Sequence, residues 1–323
     1  MVQLSHVTQA NESFARDQED NAGVVCVFSG ATGGIGEGTL ERLVVMFQGA
    51  TFYVLGRSAE RFTTQRAKLE SLNPSLKLVF LETQVSLIAD IDAATQKILA
   101  VEKKVDYLYM SQACFPVNAP RYTKEGLDLC FVIQYYSRVR LVMNLLPLLR
   151  KSSRPRVLSV LSGGKEGKIR EDDIGLENPK NYSFSAAILH HATITTLTFE
   201  YLAKNYKNIA FMHTFPGLVR TGIFSSVVAP ESSGILARVL TATMSSFGSI
   251  LVWLAGASPL DCGARQAFIL TSAMYGPGSW RIDQNSEAVT APGVLEQYRE
   301  QGWPEKVWNF NLGVFEKALG TSE

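Results

Sequence analysis

Apolar and polar positions along this chain switch between two periods, and the switching predicts strand after helix after strand. Val24-Val-Cys-Val-Phe-Ser29 is a β-rich apolar run, and it hands over to Thr39-Leu-Glu-Arg-Leu-Val-Val-Met46, where apolar residues recur at helical spacing. A second run, Thr51-Phe-Tyr-Val-Leu55, follows at the distance a crossover helix requires. The unit then repeats: strand 77–81, helix around 91–101, strand 106–110, helix from about 127 to 149, strand 156–161, helix from about 183 to 205, strand 209–214. Strands alternating with helices of this length predict a parallel sheet covered on both faces, an α/β doubly wound fold.

No Pro, Gly or Ser linker and no internal repeat divides the chain, which predicts a polar N-terminal extension over 1–22 and one domain over 23–323. Beyond Thr214 the pattern predicts a helix-rich tail. From Val239 to Leu260 there is no charged residue, and the stretch is read as an apolar lid at about 225–260. Thr241, Thr243, Ser245, Ser246, Gly248 and Ser249 dilute its apolar character, so a membrane span is not expected, while peripheral membrane contact stays open.

Composition narrows the function classes. With 46% hydrophobic and 19% charged residues the chain falls in the globular range. The 31 basic and 30 acidic residues are mixed along the length, leaving no stripe to neutralise a polyanion, and nucleic acid is not an expected partner. Cys26, Cys114, Cys130 and Cys262 show no CxxC pair and no metal-ligand spacing. They read as reduced core thiols, with no metal. The N-terminus lacks a basic segment followed by an apolar one, so a cytoplasmic protein is expected.

The chemistry starts at Gly30-Ala-Thr-Gly-Gly34-Ile-Gly36, which follows a strand and opens a helix. Glycines there let backbone N–H groups approach a pyrophosphate where the helix dipole favours anions, and Thr32 adds a hydroxyl. At the end of the second strand stands Gly56-Arg57-Ser58, where selectivity for NAD would call for an acidic residue. The planar fork of Arg57, with Ser58 beside it and Arg61 one turn on, suits the 2′-phosphate of NADP(H).

These motifs resemble the short-chain dehydrogenase/reductase family over roughly residues 22–275, most closely its divergent fungal members found beside enzymes of secondary metabolism. The matching pieces are the glycine motif with Gly30, Thr32, Gly33, Gly34, Ile35 and Gly36, then Gln84-Val85-Ser86 at the adenine-side turn. Asp106-Tyr-Leu-Tyr-Met-Ser111-Gln-Ala113, Ser162 after the fifth strand, and Pro216-Gly-Leu-Val-Arg-Thr221 complete the set. The resemblance implies a Rossmann fold that binds NADP(H) through those residues, Arg57 and Ser58, and a small-molecule substrate. It also implies that the helices at 127–149 and 183–205 are candidates for a homodimer contact.

The family's catalytic set is incomplete. Aligned on Leu202-Ala203, the positions of its Tyr-x-x-x-Lys pair hold Ile188 and Ala192, and Gln134 stands where asparagine belongs. Ser162 remains, as carbonyl ligand or as a turn residue. Tyr182, six residues before Ile188, and His190 or His191 are the substitutes for the missing proton donor, each weighed against a structural role. Two enzyme readings stay open. One is an NADP(H)-dependent oxidoreductase acting on a bulky apolar carbonyl or alcohol. The other is a non-redox cyclase, isomerase or dehydratase on the same scaffold. A non-catalytic dinucleotide-responsive protein is the third reading.

Overall fold

The computed structural model describes residues 2–17, 22–115, 120–221 and 256–320. Its centre is a parallel sheet, seven-stranded among the described residues, in the order β3-β2-β1-β4-β5-β6-β7. The strands are β1 (Val25–Ser29), β2 (Thr51–Gly56), β3 (Lys77–Glu82), β4 (Tyr107–Met110), β5 (Arg156–Val160), β6 (Ala210–Thr214) and β7 (Gly278–Ile282). β1 pairs with β2 on one side and β4 on the other, so the connections run off in opposite directions from these strands. A crevice opens at their carboxyl ends, the ligand position of doubly wound sheets.

Helices cover both faces. They are α1 (Leu4–Arg16), α2 (Gly34–Met46), α3 (Ala59–Leu72), α4 (Ile88–Val101), α6 (Phe184–Asn205), α7 (Pro259–Thr271), α8 (Leu295–Glu300) and α9 (Trp303–Gly320). Between β4 and β5, α5 starts as Leu129–Phe131, passes through a π-helical stretch Val132–Tyr136 and continues as Ser137–Leu149. Strand β1 shows how one run of apolar residues serves two layers. Val25 and Val27 join the core under α4, α5 and α6, while Cys26 and Phe28 point into the core under α2 and α7.

Two features lie beyond the expected pattern. β7 replaces part of the expected helix-rich tail: it is a half-buried edge strand, so neither an apolar run nor a clean alternation marks it. The N-terminal extension contains α1, which packs on α7 and α2, where Val7 is buried and Asn11 Nδ2 donates to the Ala264 carbonyl at 2.9 Å. The α2–α7 contact is very close. A Cβ added to Gly263 would meet the Gly38 carbonyl carbon at 2.3 Å, so small residues set this helix spacing.

The C-terminal helix α9 lies across α6 and reaches α5. Trp308 stacks on Tyr201 with centroids 4.9 Å apart, Asn311 Nδ2 donates to the Tyr135 hydroxyl at 2.8 Å, and the Arg140 guanidinium sits over the Phe315 ring. The chain's own last helix thus packs on the helix pair expected as a candidate homodimer contact. The lid expected at about 225–260 falls almost wholly outside the described residues. Among the described residues, no helix is long and apolar enough to cross a membrane.

Candidate active site

The carboxyl edge of the sheet gathers the glycine turn and the ends of β4, β5 and β6. Gly30 has φ +82°, and a Cβ there would meet the Gln112 amide nitrogen at 2.2 Å, so the turn is pressed against the exit of β4. Gly36 is hemmed in as tightly, with the Gly30 carbonyl oxygen 2.3 Å and Ser111 Oγ 2.6 Å from where its Cβ would stand. Gly33 caps α2 without a side-chain hydrogen bond, and no side chain competes for the first amides at Gly34, Ile35 and Gly36. An uncapped glycine-led helix start at a sheet edge suits a phosphate. The loop after β6 closes the other side, with Thr221 Cγ2 3.0 Å from a Cβ position on Gly34.

The remaining cofactor positions divide by what they touch. Exposed Thr32 lies over the end of β2, its methyl 3.0 Å from the Cβ position of Gly56. Arg57 is exposed just beyond. Ser58 Oγ caps α3 by accepting from the Arg61 amide at 3.2 Å, which leaves its hydroxyl proton available. Val85 is half-buried against the core after β3. Ser111 Oγ donates to the Gly30 carbonyl at 3.0 Å, so its hydroxyl proton holds the turn and is not free for a ligand.

At the end of β5 the half-buried Ser162 keeps its Oγ free of hydrogen-bond partners among the described residues, while its amide donates to His213 Nε2 at 3.2 Å. Gly163 lets the chain cross β6: a Cβ there would stand 1.9 Å from the His213 carbonyl oxygen. A hydroxyl free to bind an oxygen therefore stands on a backbone that has no room to shift, on the same sheet edge as the phosphate cradle.

The short chain dehydrogenase family matches residues 24–232 of this sequence. This chain belongs to that family. Oxidoreductase AN1596 of Emericella nidulans is 32% identical over 94% of this chain and 97% of its own length. The NmrA-like family domain-containing oxidoreductase notO of an Aspergillus species is 34% identical over 98% and 96%. Among solved structures, a putative short chain dehydrogenase from Pseudomonas syringae superposes with a TM-score of 0.60 at 15% identity, covering 83% of this chain and 97% of that one. The chain is thus an oxidoreductase of the short-chain dehydrogenase type, a class built on a nicotinamide dinucleotide.

Ile188 and Ala192, expected at the family's tyrosine and lysine positions, both lie on α6. Ile188 is half-buried and Ala192 fully buried on α6. Of the expected substitutes, His190 is committed elsewhere: its Nε2 accepts the Arg170 amide at 2.7 Å and its Nδ1 faces the Ile174 carbonyl at 3.2 Å. Both ring nitrogens pin the loop at 170–174, which corrects the expectation of a catalytic role. Tyr182 packs against the core beside Asp128, Arg121 and Tyr122. Burial first, then the Asp128 charge, push its phenol up to about 12, and no lysine acts on it.

Two residues near the site were not singled out by sequence reasoning. Arg138 is fully buried on α5 and ties the ends of β4 and β5 together, donating to Met110 O at 3.1 Å, Gln112 O at 2.5 Å, Ser159 Oγ at 2.7 Å and Val160 O at 3.1 Å. Burial pushes its pKa down to about 9, which still leaves it cationic at neutral pH. The available signal was an arginine, one turn after Gln134, inside the largely apolar stretch Val132–Leu149. Gln134 lies within the π-helical stretch and donates through Nε2 to the Cys114 carbonyl. The second residue, His213, was read only as part of a strand.

Cys114 and Cys130 are joined in a disulfide, with Cα atoms 5.3 Å apart, which overturns the expectation of four reduced thiols. Residues 120–128 turn back between them, a closure that a separation of 16 residues without a motif does not announce. Cys26 and Cys262 are buried free thiols, as expected.

The histidines make the fold acid-sensitive. His191 is buried against the Phe131 ring with no hydrogen-bond partner among the described residues, and burial pushes its pKa from 6.5 to about 3. Burial likewise takes His213 down to about 4. Because the unfolded chain takes up these protons first as pH falls, stability present above about pH 6.5 is lost on the way down to those values. Between about pH 7.5 and about pH 5 the expected loss is on the order of 2 kcal/mol for each histidine. Urea titrations at the two pH values measure it, and His191→Phe should remove about half.

Proposed function

We propose that this oxidoreductase is NADP(H)-dependent, reduces a bulky, largely apolar carbonyl compound and serves secondary-metabolite biosynthesis; the similarity to proteins named as fungal oxidoreductases supports the redox part of that reading. The observation that carries the reading is the Ser162 hydroxyl, without a hydrogen-bond partner among the described residues, on the same sheet edge as the glycine-led helix start. Backbone amides at Gly34–Gly36, with Thr32, would hold the pyrophosphate, Arg57 and Ser58 the 2′-phosphate, Val85 the adenine side and Thr221 the nicotinamide side. The chain would act as one domain.

When bound, NADPH supplies the hydride for the carbonyl carbon. Ser162 Oγ donates a hydrogen bond to the carbonyl oxygen and polarises it. Tyr182 keeps its proton at neutral pH, so it is suited to give that proton to the developing alkoxide and unsuited to act as the base that alcohol oxidation needs.

Cofactor choice is tested by titrating NADPH and NADH into the protein. NADPH should bind about 10- to 100-fold more tightly, the effect of one charge-assisted phosphate contact, and Arg57→Asp should erase the difference. Equal affinity for the two cofactors in the unaltered protein would contradict the assignment.

A further inference from the structure

A chain of hydrogen bonds behind Ser162 is used by none of the steps above. The Ser162 amide donates to His213 Nε2 at 3.2 Å, so that nitrogen carries no proton. On the other side of the ring, His213 Nδ1 is 2.9 Å from Thr196 Oγ1, whose own proton goes to Glu166 Oε1 at 2.7 Å. The imidazole must therefore be the neutral Nδ1–H tautomer, donating to Thr196. Glu166 Oε1 also accepts the Gly164 amide at 3.0 Å, and Oε2 faces Arg281 Nη1 at 3.3 Å. The Glu166 side chain is 3% exposed and the Arg281 side chain 10%.

The chain thus starts and ends on one loop. Ser162 and Gly164 are held by their amides from opposite ends of a His–Thr–Glu series that passes through β6 and α6, and Arg281 on β7 neutralises the buried carboxylate. Between them Gly163 lies against the β6 backbone, and Gly164 adopts φ +81° beside Val289. Every donor in the series has one acceptor, and no member's replacement by an apolar group leaves the others satisfied.

We propose that His213, Thr196 and Glu166 are positioning residues that fix the Ser162–Gly164 backbone so that Ser162 Oγ stays aimed at the substrate oxygen. The proposal rests on the reading of Ser162 as the ligand of that oxygen. It assigns none of the three a contact with substrate.

The test uses the full chain with Thr196→Val, which keeps the shape and removes the hydroxyl, and Thr196→Ser, which restores it. Amide hydrogen exchange in the cofactor-free protein should show Ser162 and Gly164 exchanging about tenfold faster in Thr196→Val, with Val27 on β1 unchanged and Thr196→Ser like the parent. Nitrogen-15 spectra should show His213 protonated on Nδ1 alone. With NADPH and 9,10-phenanthrenequinone as the probe, Thr196→Val should lower kcat about tenfold with KM for NADPH unchanged, and should have no further effect in a Ser162→Ala background. Unchanged exchange at Ser162, or a full additional loss in the double variant, would overturn the proposal. If Ser162→Ala itself leaves turnover intact, the serine reading fails, and the exchange data alone decide whether the series holds the loop.

Discussion

On the NADP(H) reading, Gly36→Val is expected to weaken NADPH binding by at least about 100-fold, because the side chain would have to occupy space already filled. The Cβ position lies 2.3 Å from the Gly30 carbonyl oxygen, 2.6 Å from Ser111 Oγ and 2.8 Å from the Ala31 Cα. Two of these three atoms are backbone, so relief must come from moving the glycine turn away from α2. That movement separates the amides at Gly34–Gly36 from the turn that faces them. Strain of this kind costs about 1–3 kcal/mol, so the variant should remain folded and be separable by circular dichroism from one that has merely collapsed. Gly313→Ala on α9 is the control: nothing lies within 4 Å of its Cβ position, it is outside the glycine turn, and it should bind NADPH as the parent does. Fluorescence titration of NADPH checks both.

The sheet was legible because burial on both faces forces β-rich apolar runs, as in Val25–Ser29, and the helices between them are long enough to declare their own period. β7 was not, since an edge strand that is half-buried needs neither signal. The cofactor half of the site was legible for a related reason. Glycines required by close backbone contact are local, and Gly30, Gly34 and Gly36 reveal their purpose by position in a strand-turn-helix unit. The catalytic half depends on contacts between distant segments. Nothing at His190 tells that Arg170 and Ile174 will take both its nitrogens, while its neighbour His191 has no partner among the described residues. The Ser162–His213–Thr196–Glu166 series spans four places in the chain, and the pairing of Cys114 with Cys130 depends on a turn between them. Folding creates these relations, and the residues taken singly do not state them.

Ser162→Ala carries the second large effect. A single hydrogen bond aimed at the oxygen that gains charge in the transition state contributes about 10²- to 10³-fold to kcat in a water-poor site. The Ser162 amide, which holds the loop through His213, is unaffected by the change, so the backbone should stay in place and the affinity for NADPH should not move. The loss belongs in kcat and kcat/KM together, the pattern for an interaction made in the transition state.

The most direct measurement of whether this chain transfers hydride is the consumption of NADPH in the presence of 9,10-phenanthrenequinone, followed by the cofactor's near-ultraviolet absorbance alongside product analysis. The structure predicts steady NADPH loss matched one for one by reduced product, and near abolition of both in Ser162→Ala. Conversion of substrate without any change in NADPH, or NADPH consumption indifferent to Ser162, would contradict it.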